Sequence, residues 1–181
     1  MYDKEFEIIG KRLFSEGLVT ANFGNMSIRV KGGFVITPSG SFLDESTKPV
    51  FVSDSGVPCP GASSEYRVHL ETYKRTTAGA QVHVHPPFEV AASFSFDEIV
   101  PQDTEGKMFC PLIPVVTGDA GSDELAQNVA DALTRSPVVI ARAHGTFAIG
   151  ESLKECYILT SIVEHACKII YYCGGFGGLK L

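Results

Sequence analysis

The pattern of apolar and polar residues predicts several helices along the chain. In one segment, which begins at Ser122, Leu125, Val129 and Leu133 recur at a spacing that places them on one stripe of a helix. A comparable spacing near the N-terminus ends at Gly17, a residue typical of helix ends. Together these patterns predict helices over residues 3–17, 63–76 and 88–95, from Ser122 onwards, and from about 151 to Tyr172.

Other segments show the period of two that is typical of β-strands. In Gln81–Pro87 (QVHVHPP), Val82 and Val84 would enter one packed layer, while His83 and His85 stand together on the opposite face. Further strands are predicted within residues 25–40, as a hairpin through Lys31-Gly32-Gly33, and within 49–53, 111–117 and 137–150, the last with a turn at His144-Gly145.

These elements predict one domain over residues 1–181. No linker, repeat or low-complexity segment interrupts the pattern, and a hydrophobic content of 44% with 20% charged residues is ordinary for a folded globular protein. We therefore expect a three-layer α/β fold, in which helices flank a central and mostly antiparallel sheet.

Composition and charge exclude several classes of protein. The net charge of -6, without a basic cluster, argues against a nucleic-acid partner. The apolar runs are too short to span a bilayer, and the first residues lack the apolar core of a signal peptide. Five cysteines at irregular spacing, without a CxxC pair, indicate reduced thiols. We expect a cytoplasmic protein without a membrane partner.

Three histidines on or just beyond predicted strands suggest a metal site. Taken alone, His83 and His85 are explained equally well as the half-exposed polar face of a strand. A third histidine, His144, stands before a glycine at the end of a buried strand, and it favours the metal interpretation. Three imidazole ligands and an open position are the arrangement of catalytic zinc. Manganese, cobalt, nickel or iron would also be chemically possible.

The sequence Ser63-Ser64-Glu65 offers a carboxylate for the same site. We expect Ser63 or Ser64 to cap the following helix and Glu65 to lie in its first turn, where the helix dipole favours a negative charge. The serine hydroxyls and the amides of the helix start could also bind phosphate. Taken alone, the motif is explained by a helix cap. His69 lies four residues after Glu65, and we assign it to packing rather than to the metal.

Two tight turns are further candidates for binding an anion. Gly24 and Asn25 precede a predicted strand, and Ser39 and Gly40 follow one. Their amide groups could point at a phosphate, although each turn is also explained as a plain hairpin end. Their significance depends on their occurrence together with the histidines and Glu65.

In combination, these motifs resemble the class II aldolase/adducin family. The ordered set is GNMS at 24–27, ITPSG at 36–40, SSE at 63–65, HVH at 83–85 and HG at 144–145. The resemblance covers nearly the whole chain and is strongest to the small sugar-phosphate aldolases. It implies an antiparallel sheet flanked by helices and a homotetramer with active sites between subunits.

The resemblance also implies roles for the matching residues. Zinc would be bound by His83, His85 and His144, with Glu65 as a ligand at rest and as the acid/base during the reaction. Phosphate would be bound by Gly24, Asn25, Ser39, Gly40, Ser63 and Ser64. The implied reaction is reversible cleavage of a deoxy-ketose 1-phosphate to dihydroxyacetone phosphate and a small aldehyde, through an enediolate that the metal stabilises.

The resemblance has two gaps. The aldolases of this family carry a tyrosine after the HxH strand that protonates the aldehyde oxygen across the subunit boundary, and residues 100–109 hold none. Asp103 or Glu105 could substitute, or both could be surface carboxylates in a turn. The aldolases also have a C-terminal tail that closes over the substrate, whereas this chain stops at Leu181, soon after its last predicted helix.

Other members of the family offer three alternative functions. A methylthioribulose-phosphate dehydratase would keep the metal histidines and an acid in this region. A pentulose-phosphate 4-epimerase usually has aspartate where Glu65 stands, which argues against it. An adducin-like scaffold would have no reason to keep His83, His85, His144 and Glu65 together.

Overall fold

A computed structural model describes residues 2–57 and 60–175. Within them the helices are α1 (Asp3–Ser15), α2 (Tyr66–Arg75), α3 (Pro87–Ser93), α4 (Thr104–Phe109), α5 (Asp123–Leu133) and α6 (Leu153–Tyr172). The strands are β1 (Asn25–Val30), β2 (Gly33–Ile36), β3 (Val50–Ser53), β4 (Ala80–Val84), β5 (Glu98–Ile99), β6 (Ile113–Val116), β7 (Val138–Ala141) and β8 (Gly145–Gly150).

The strands form one eight-stranded sheet in the order β3-β2-β1-β4-β8-β7-β6-β5. Every neighbouring pair is antiparallel except β6 and β7, which are parallel. The order places β4 between β1 and β8, although about 60 residues separate β4 from β8 in the chain. The prediction of a mostly antiparallel sheet flanked by helices is therefore confirmed.

Alternating side chains of the sheet enter two separate apolar layers. On β7, Val138 and Ile140 pack in the layer that contains α1 and α6, whereas Val139 and Ala141 pack in the layer that contains α5. All four residues are buried, as the period of two requires for a strand covered on both faces. A third cluster packs β2 and β3 against α2.

The helix α5 begins as the sequence predicts. The Ser122 hydroxyl accepts a hydrogen bond from the Leu125 amide at 3.0 Å, and the predicted stripe of Leu125, Val129 and Leu133 is buried. Each fully buried leucine or valine of this kind contributes about 1.5–3 kcal/mol to stability.

The start of α2 differs from the prediction. The helix begins at Tyr66, after Glu65 at the N-cap position, and no side chain caps it, so neither Ser63 nor Ser64 is the cap. The Ser63 hydroxyl instead accepts a weak hydrogen bond from the Glu65 amide at 3.4 Å. An isolated bridge pairs Pro38 with Ala62 just before this segment.

Two elements and one turn also depart from the sequence analysis. The short strand β5 and the helix α4 have no counterpart among the predicted elements. Asp103 and Glu105, for which a surface turn was one expectation, are the N-cap and a first-turn residue of α4. The turn before β8 is formed by Arg142, Ala143 and His144, with Ala143 in the left-handed region at φ +59°, and Gly145 already belongs to the strand. The predicted glycine-rich end after residue 175 lies outside the described residues.

Across the described ranges, none of the helices combines the length and apolar content needed to cross a bilayer. Cys110, Cys156 and Cys167 are buried free thiols, and Cys173 is an exposed one. Cys59 lies outside the described residues.

Candidate active site

The three histidines converge at one end of the β4–β8 pair. His83 lies on β4, His85 follows that strand directly, and His144 immediately precedes β8. Because β4 and β8 are antiparallel neighbours, the end of one meets the start of the other. One nitrogen from each ring lies within 4.8 Å of the others, so the sheet assembles three metal donors from two distant segments.

Hydrogen bonding fixes the orientation of the central histidine. His83 Nδ1 donates to the Thr146 carbonyl oxygen at 3.0 Å, and the ring stacks on Phe147 at a centroid distance of 4.0 Å. His83 Nε2 then points towards His85, whose Nε2 lies 3.0 Å away. A backbone partner on the outer nitrogen is the usual way in which a protein orients a ligating imidazole.

All three imidazoles are held in the neutral form. Burial lowers the pKa of His83 well below its ordinary value, and repulsion from His85 and His144 lowers it further. Burial, followed by the neighbouring His144, lowers the pKa of His85 to about 4. Burial also lowers the pKa of His144. Neutral imidazoles keep their lone pairs available for a cation.

The donor set fits a divalent transition metal. His144 Nδ1 is buried and has no hydrogen-bond partner within the described residues, which leaves a donor atom for a ligand. Two nitrogen ligands of one tetrahedral zinc ion lie about 3.3 Å apart. The separation of 3.0 Å between the Nε2 atoms of His83 and His85 is already close to this value.

Gly145 provides the space in which the rings meet. A Cβ atom at this position would lie 2.4 Å from the Val84 carbonyl oxygen, 2.5 Å from His85 Cδ2 and 3.1 Å from His83 Cε1. The glycine after His144 is therefore required by close packing against two histidines rather than by the turn that the sequence analysis expected.

A cavity of about 160 Å³ is lined by all the residues predicted to bind the metal or the phosphate. Its lining consists of Asn22, Phe23, Gly24, Asn25, Pro38, Ser39, Gly40, Ser63, Ser64, Glu65, His83, His85 and His144. Larger surface cavities exist, such as one of about 520 Å³ beside Arg75, Thr77 and Glu151. No group of metal donors within the described ranges lies there, so chemistry rather than volume identifies the site.

Glu65 lines this cavity with an incompletely satisfied carboxyl group. The residue is 7% exposed, and its Oε2 has no hydrogen-bond partner within the described part of the chain. Burial raises its pKa, and the backbone amide of Gly121 only partly offsets this. The dipole effect expected from the sequence is thus outweighed by desolvation. Glu65 does not belong to the group of donors within 4.8 Å, so its role as a ligand stays a prediction.

The predicted anion-binding turns line the same cavity. Gly24 and Gly40 both have left-handed backbone conformations, with φ of +82° and +73°. A Cβ atom at Gly24 would lie 2.8 Å from the His83 carbonyl oxygen, so this turn also permits β1 to start beside the histidine strand. Ser39 donates its amide to Gly61 at 2.8 Å, which joins the second turn to the segment that precedes Ser63.

Three lining residues were missed by the sequence analysis. Asn22, Phe23 and Pro38 adjoin the predicted turns, and their position beside them was the available signal. The Phe23 ring stacks near His85 with centroids 5.7 Å apart, although more than half of its surface is exposed.

Neither candidate for the missing general acid lines this cavity within one chain. Asp103 is the N-cap of α4, where its Oδ2 accepts the Gly106 amide at 2.8 Å. Glu105 lies in the first turn of that helix and is exposed. Their roles stay predictions that depend on a neighbouring subunit.

The fold and the three-histidine cavity together define an α/β protein with a mostly antiparallel sheet and a candidate metal site. Residues 5–171 match the family described as Class II Aldolase and Adducin N-terminal domain. The chain belongs to this family.

Two relatives and one solved structure illustrate the similarity. A 5-methylthioribulose-1-phosphate/5-deoxyribulose-1-phosphate aldolase of Escherichia coli O45:K1 is 32% identical, over 91% of this chain and 81% of the relative. An L-fuculose phosphate aldolase of Methanocaldococcus jannaschii is 30% identical, over 93% and 95%. The crystal structure of L-fuculose-1-phosphate aldolase from Thermus thermophilus superposes with a TM-score of 0.92 and 37% identity, over 99% and 98% of the two chains.

Proposed function

We propose that this protein is a class II aldolase that reversibly cleaves a ketose 1-phosphate to dihydroxyacetone phosphate and a small aldehyde. The observation that carries the proposal is the convergence of three neutral imidazoles and Glu65 in one cavity. A scaffold without chemistry would need neither the three clustered histidines nor the buried carboxylate. The names of the two relatives, both aldolases of sugar phosphates, support the same reaction.

The residues that would hold the metal are His83, His85 and His144, and zinc is the ion that this donor set favours. When bound, a divalent cation supplies Lewis-acid stabilisation of the negative charge that develops on the substrate oxygens. The hydrogen bond from His83 Nδ1 to Thr146 keeps the Nε2 lone pair directed at the site.

We assign to Glu65 the transfer of the proton to and from C3. In cleavage, the C4 hydroxyl gives its proton to the group that takes the place of the missing tyrosine, for which Asp103 or Glu105 of a neighbouring subunit is the candidate. The bond between C3 and C4 breaks, and C4 becomes the aldehyde carbon. The electron pair remains on C3 as an enediolate, and Glu65 delivers a proton to C3 to complete dihydroxyacetone phosphate. In condensation, Glu65 removes that proton. Burial raises the pKa of Glu65, and this suits a group that must both give and take a proton near neutral pH.

The turns that line the cavity would hold the phosphate. Backbone amides at Gly24 and Gly40 lie in tight turns, and Ser39, Ser63 and Ser64 add hydroxyl groups. A phosphate fixed there would place the carbon skeleton in one orientation relative to Glu65 and the histidines. Asn25 would contribute its side-chain amide to the same set.

The sugar phosphates in the names of these relatives differ in the aldehyde that cleavage releases. Cleavage of a fuculose 1-phosphate releases lactaldehyde, whereas cleavage of a 5-deoxyribulose 1-phosphate releases acetaldehyde. Both share dihydroxyacetone phosphate, the half that the turns and Glu65 would bind. We therefore propose tight recognition of this half and a broader tolerance for the aldehyde.

The working protein, in this proposal, is a single-domain homotetramer in the cytoplasm. The resemblance implies sites between subunits, and several apolar side chains around α4 are exposed and would suit such a contact. They are Val100, Met108, Phe109 and Leu112, with exposed fractions from 41% to 69%. The free thiols of the described cysteines suit a reducing compartment.

The decisive experiment offers the zinc-loaded protein dihydroxyacetone phosphate with lactaldehyde, acetaldehyde or methylthioacetaldehyde. We expect a ketose 1-phosphate with at least one aldehyde, and loss of the activity after chelation. Methylthioribulose phosphate is offered separately. Dehydration of this sugar, without carbon–carbon cleavage, would refute the aldolase and favour the dehydratase. A purified chain that neither contains nor takes up metal would instead favour the scaffold.

A further inference from the structure

A buried polar interface joins β1 to α2 beside the candidate active site. Asn25 and Ser27 lie two residues apart on β1 and face the helix, where His69 and Tyr73 lie four residues apart. All four side chains are at most 5% exposed. Two residues advance about 6.7 Å along a strand and four advance about 6.0 Å along a helix, so the two pairs match in length.

Arg29, two residues after Ser27 on β1, bonds to the C-terminal end of α2 at the end of the interface that is farther from the cavity. Its guanidinium group donates to the carbonyl oxygens of Tyr73 and Thr76 at 2.9 Å, and to that of Ala78 at 2.7 Å. It also lies over the Tyr73 ring, 4.5 Å from the centroid. These bonds anchor the C-terminal end of α2 to β1 and hold the two elements in register.

The side chains form one continuous hydrogen-bonded chain that ends at the cavity. Tyr73 Oη and Ser27 Oγ are 2.7 Å apart, and Ser27 Oγ and His69 Nδ1 are 2.6 Å apart. His69 Nε2 and Asn25 Oδ1 are also 2.6 Å apart. Of these residues, Asn25 lines the cavity that contains the three histidines.

The chain has a defined polarity. Asn25 Oδ1 can only accept, so His69 Nε2 carries the hydrogen, and Nδ1 accepts from the Ser27 hydroxyl. Ser27 in turn accepts from Tyr73. Complete burial lowers the pKa of His69 to about 3, so the ring is neutral and has one donor and one acceptor nitrogen.

We propose that His69 is a positioning residue that holds Asn25 with its amide nitrogen directed into the cavity, as a donor to the phosphate of the substrate. The inference rests on the proposed function, because it takes the ligand to be a phosphorylated sugar. Asn25 Nδ2 has no hydrogen-bond partner within the described residues, so the donor side of the amide is available. The opposite orientation would place a carbonyl oxygen against an anion.

The kinetic test compares three variants of the full-length, zinc-loaded protein. His69→Phe keeps a buried ring beside Phe34 but removes both nitrogens, and His69→Gln can restore a donor to Asn25. Thr72→Val alters a buried position of the same helix whose hydroxyl has no partner in the described chain. We expect His69→Phe to raise the KM for dihydroxyacetone phosphate about tenfold or more, with a smaller change in kcat.

The proposal predicts a different KM for each variant, and a general loss of stability would not produce this pattern. His69→Gln should recover most of the lost affinity, and Thr72→Val should keep the KM of the parent. An unchanged KM in a folded His69→Phe variant, or an equal rise in Thr72→Val, would overturn the proposal. Thermal unfolding of each variant establishes that it is folded.

Two measurements do not depend on aldolase activity. The nitrogen NMR shifts of His69 in the parent protein should report the neutral form with hydrogen on Nε2; hydrogen on Nδ1 would overturn the proposal even if no variant folds. Calorimetric titration with inorganic phosphate should show weaker binding to His69→Phe than to Thr72→Val. If phosphate binding depends on His69 while no aldehyde reacts, the positioning role stands and the proposed reaction fails.

Discussion

Glu65 directly precedes α2 and lines the same cavity as the three histidines. Its carboxyl group has one oxygen without a partner in the described chain, and burial raises its pKa despite the adjacent N-terminus of α2. In the proposed reaction Glu65 acts as the base, and desolvation raises its proton affinity for that role. The residue therefore combines the two properties that proton transfer to carbon requires, namely access to the cavity and raised basicity.

Replacing Glu65 by Gln should lower kcat for the aldol reaction by about 10²–10⁴-fold, the usual contribution of a general base. The amide keeps the size of the side chain but cannot take a proton. The matched control is Glu98→Gln, which alters an exposed carboxylate on β5. Turnover is measured from ketose 1-phosphate formation, and thermal unfolding checks the fold.

Retention of near-parental turnover in a folded Glu65→Gln variant would remove this residue from the mechanism. A loss of bound zinc in the same variant, measured by elemental analysis, would assign it a ligand role as well. The histidines alone should hold the metal if Glu65 serves only in proton transfer.

At single residues, the sequence predicted local placement better than contacts between distant segments. The alternation in QVHVH correctly placed His83 and His85 together, because strand periodicity is a local property. Gly145 must lack a side chain because the rings of His83 and His85 pack against it. These rings belong to a segment about 60 residues away, so no local pattern reveals the requirement. The same holds for His69, whose partners Asn25 and Ser27 lie on another element.

At the scale of the elements, α3 contributes a buried carboxyl group, that of Glu89, to its contact with β8. Glu89 is fully buried, its Oε2 accepts a hydrogen bond from the Thr146 hydroxyl, and its Oε1 has no partner in the described residues. Burial raises its pKa well above the ordinary value, and the nearby charge of Glu164 raises it further. Glu164 is itself occupied, because it accepts the amides of Phe88 and Glu89 at the start of α3.

Glu89→Gln should stabilise the protein at pH 8. A carboxyl whose pKa is higher in the folded state favours folding at low pH, and this contribution is lost as the pH rises from about 4.5 through the folded pKa. Glutamine stays neutral and can still accept from Thr146. We expect a gain of about 1–3 kcal/mol in the free energy of unfolding at pH 8, measured by urea titration.

The gain from Glu89→Gln should shrink towards pH 5, and Glu98→Gln should show no comparable dependence. A variant that is less stable than the parent at both pH values would contradict the sign of this prediction. It would mean that the ionised carboxylate has a favourable partner in the folded state.

The elements that the sequence predicted are those with long or periodic patterns. The helix α5 has three turns, a serine cap and an apolar stripe, so both its start and its buried face were evident. The helix α4 has only 6 residues, too few to show a period. The strand β5 has 2 residues and is defined by pairing with β6, which is non-local.

For the molecule as a whole, the strand order creates the site. Placing β4 between β1 and β8 brings the start of β1, the end of β4 and the start of β8 to one edge, where Asn25, His83 and His144 meet. Composition and periodicity predict strands but not their order, because order is set by packing between distant segments. The sequence predicted a mostly antiparallel sheet flanked by helices, which the structure confirms, but it predicted no strand order.

A metal bound at this edge would fasten the end of β4 to the turn before β8, so its removal should affect the stability of the whole fold. A ligand that binds only the folded state at 100 times its dissociation constant stabilises by about 2.7 kcal/mol. For a chain of this length, 1 kcal/mol corresponds to about 2–4 °C in Tm. We therefore expect zinc to raise the Tm of chelator-stripped protein by about 5–10 °C.

The contrast between two histidines makes this prediction specific. His85→Asn removes one of the clustered donors, whereas His165→Asn removes an exposed histidine of α6 that lies outside the group. Differential scanning fluorimetry of both stripped variants with added zinc should show the full rise in Tm only for His165→Asn. An equal rise in both would place the stabilising ion elsewhere. Then the convergence of His83, His85 and His144 would no longer support a metal centre, and the proposed aldolase would lose its Lewis acid.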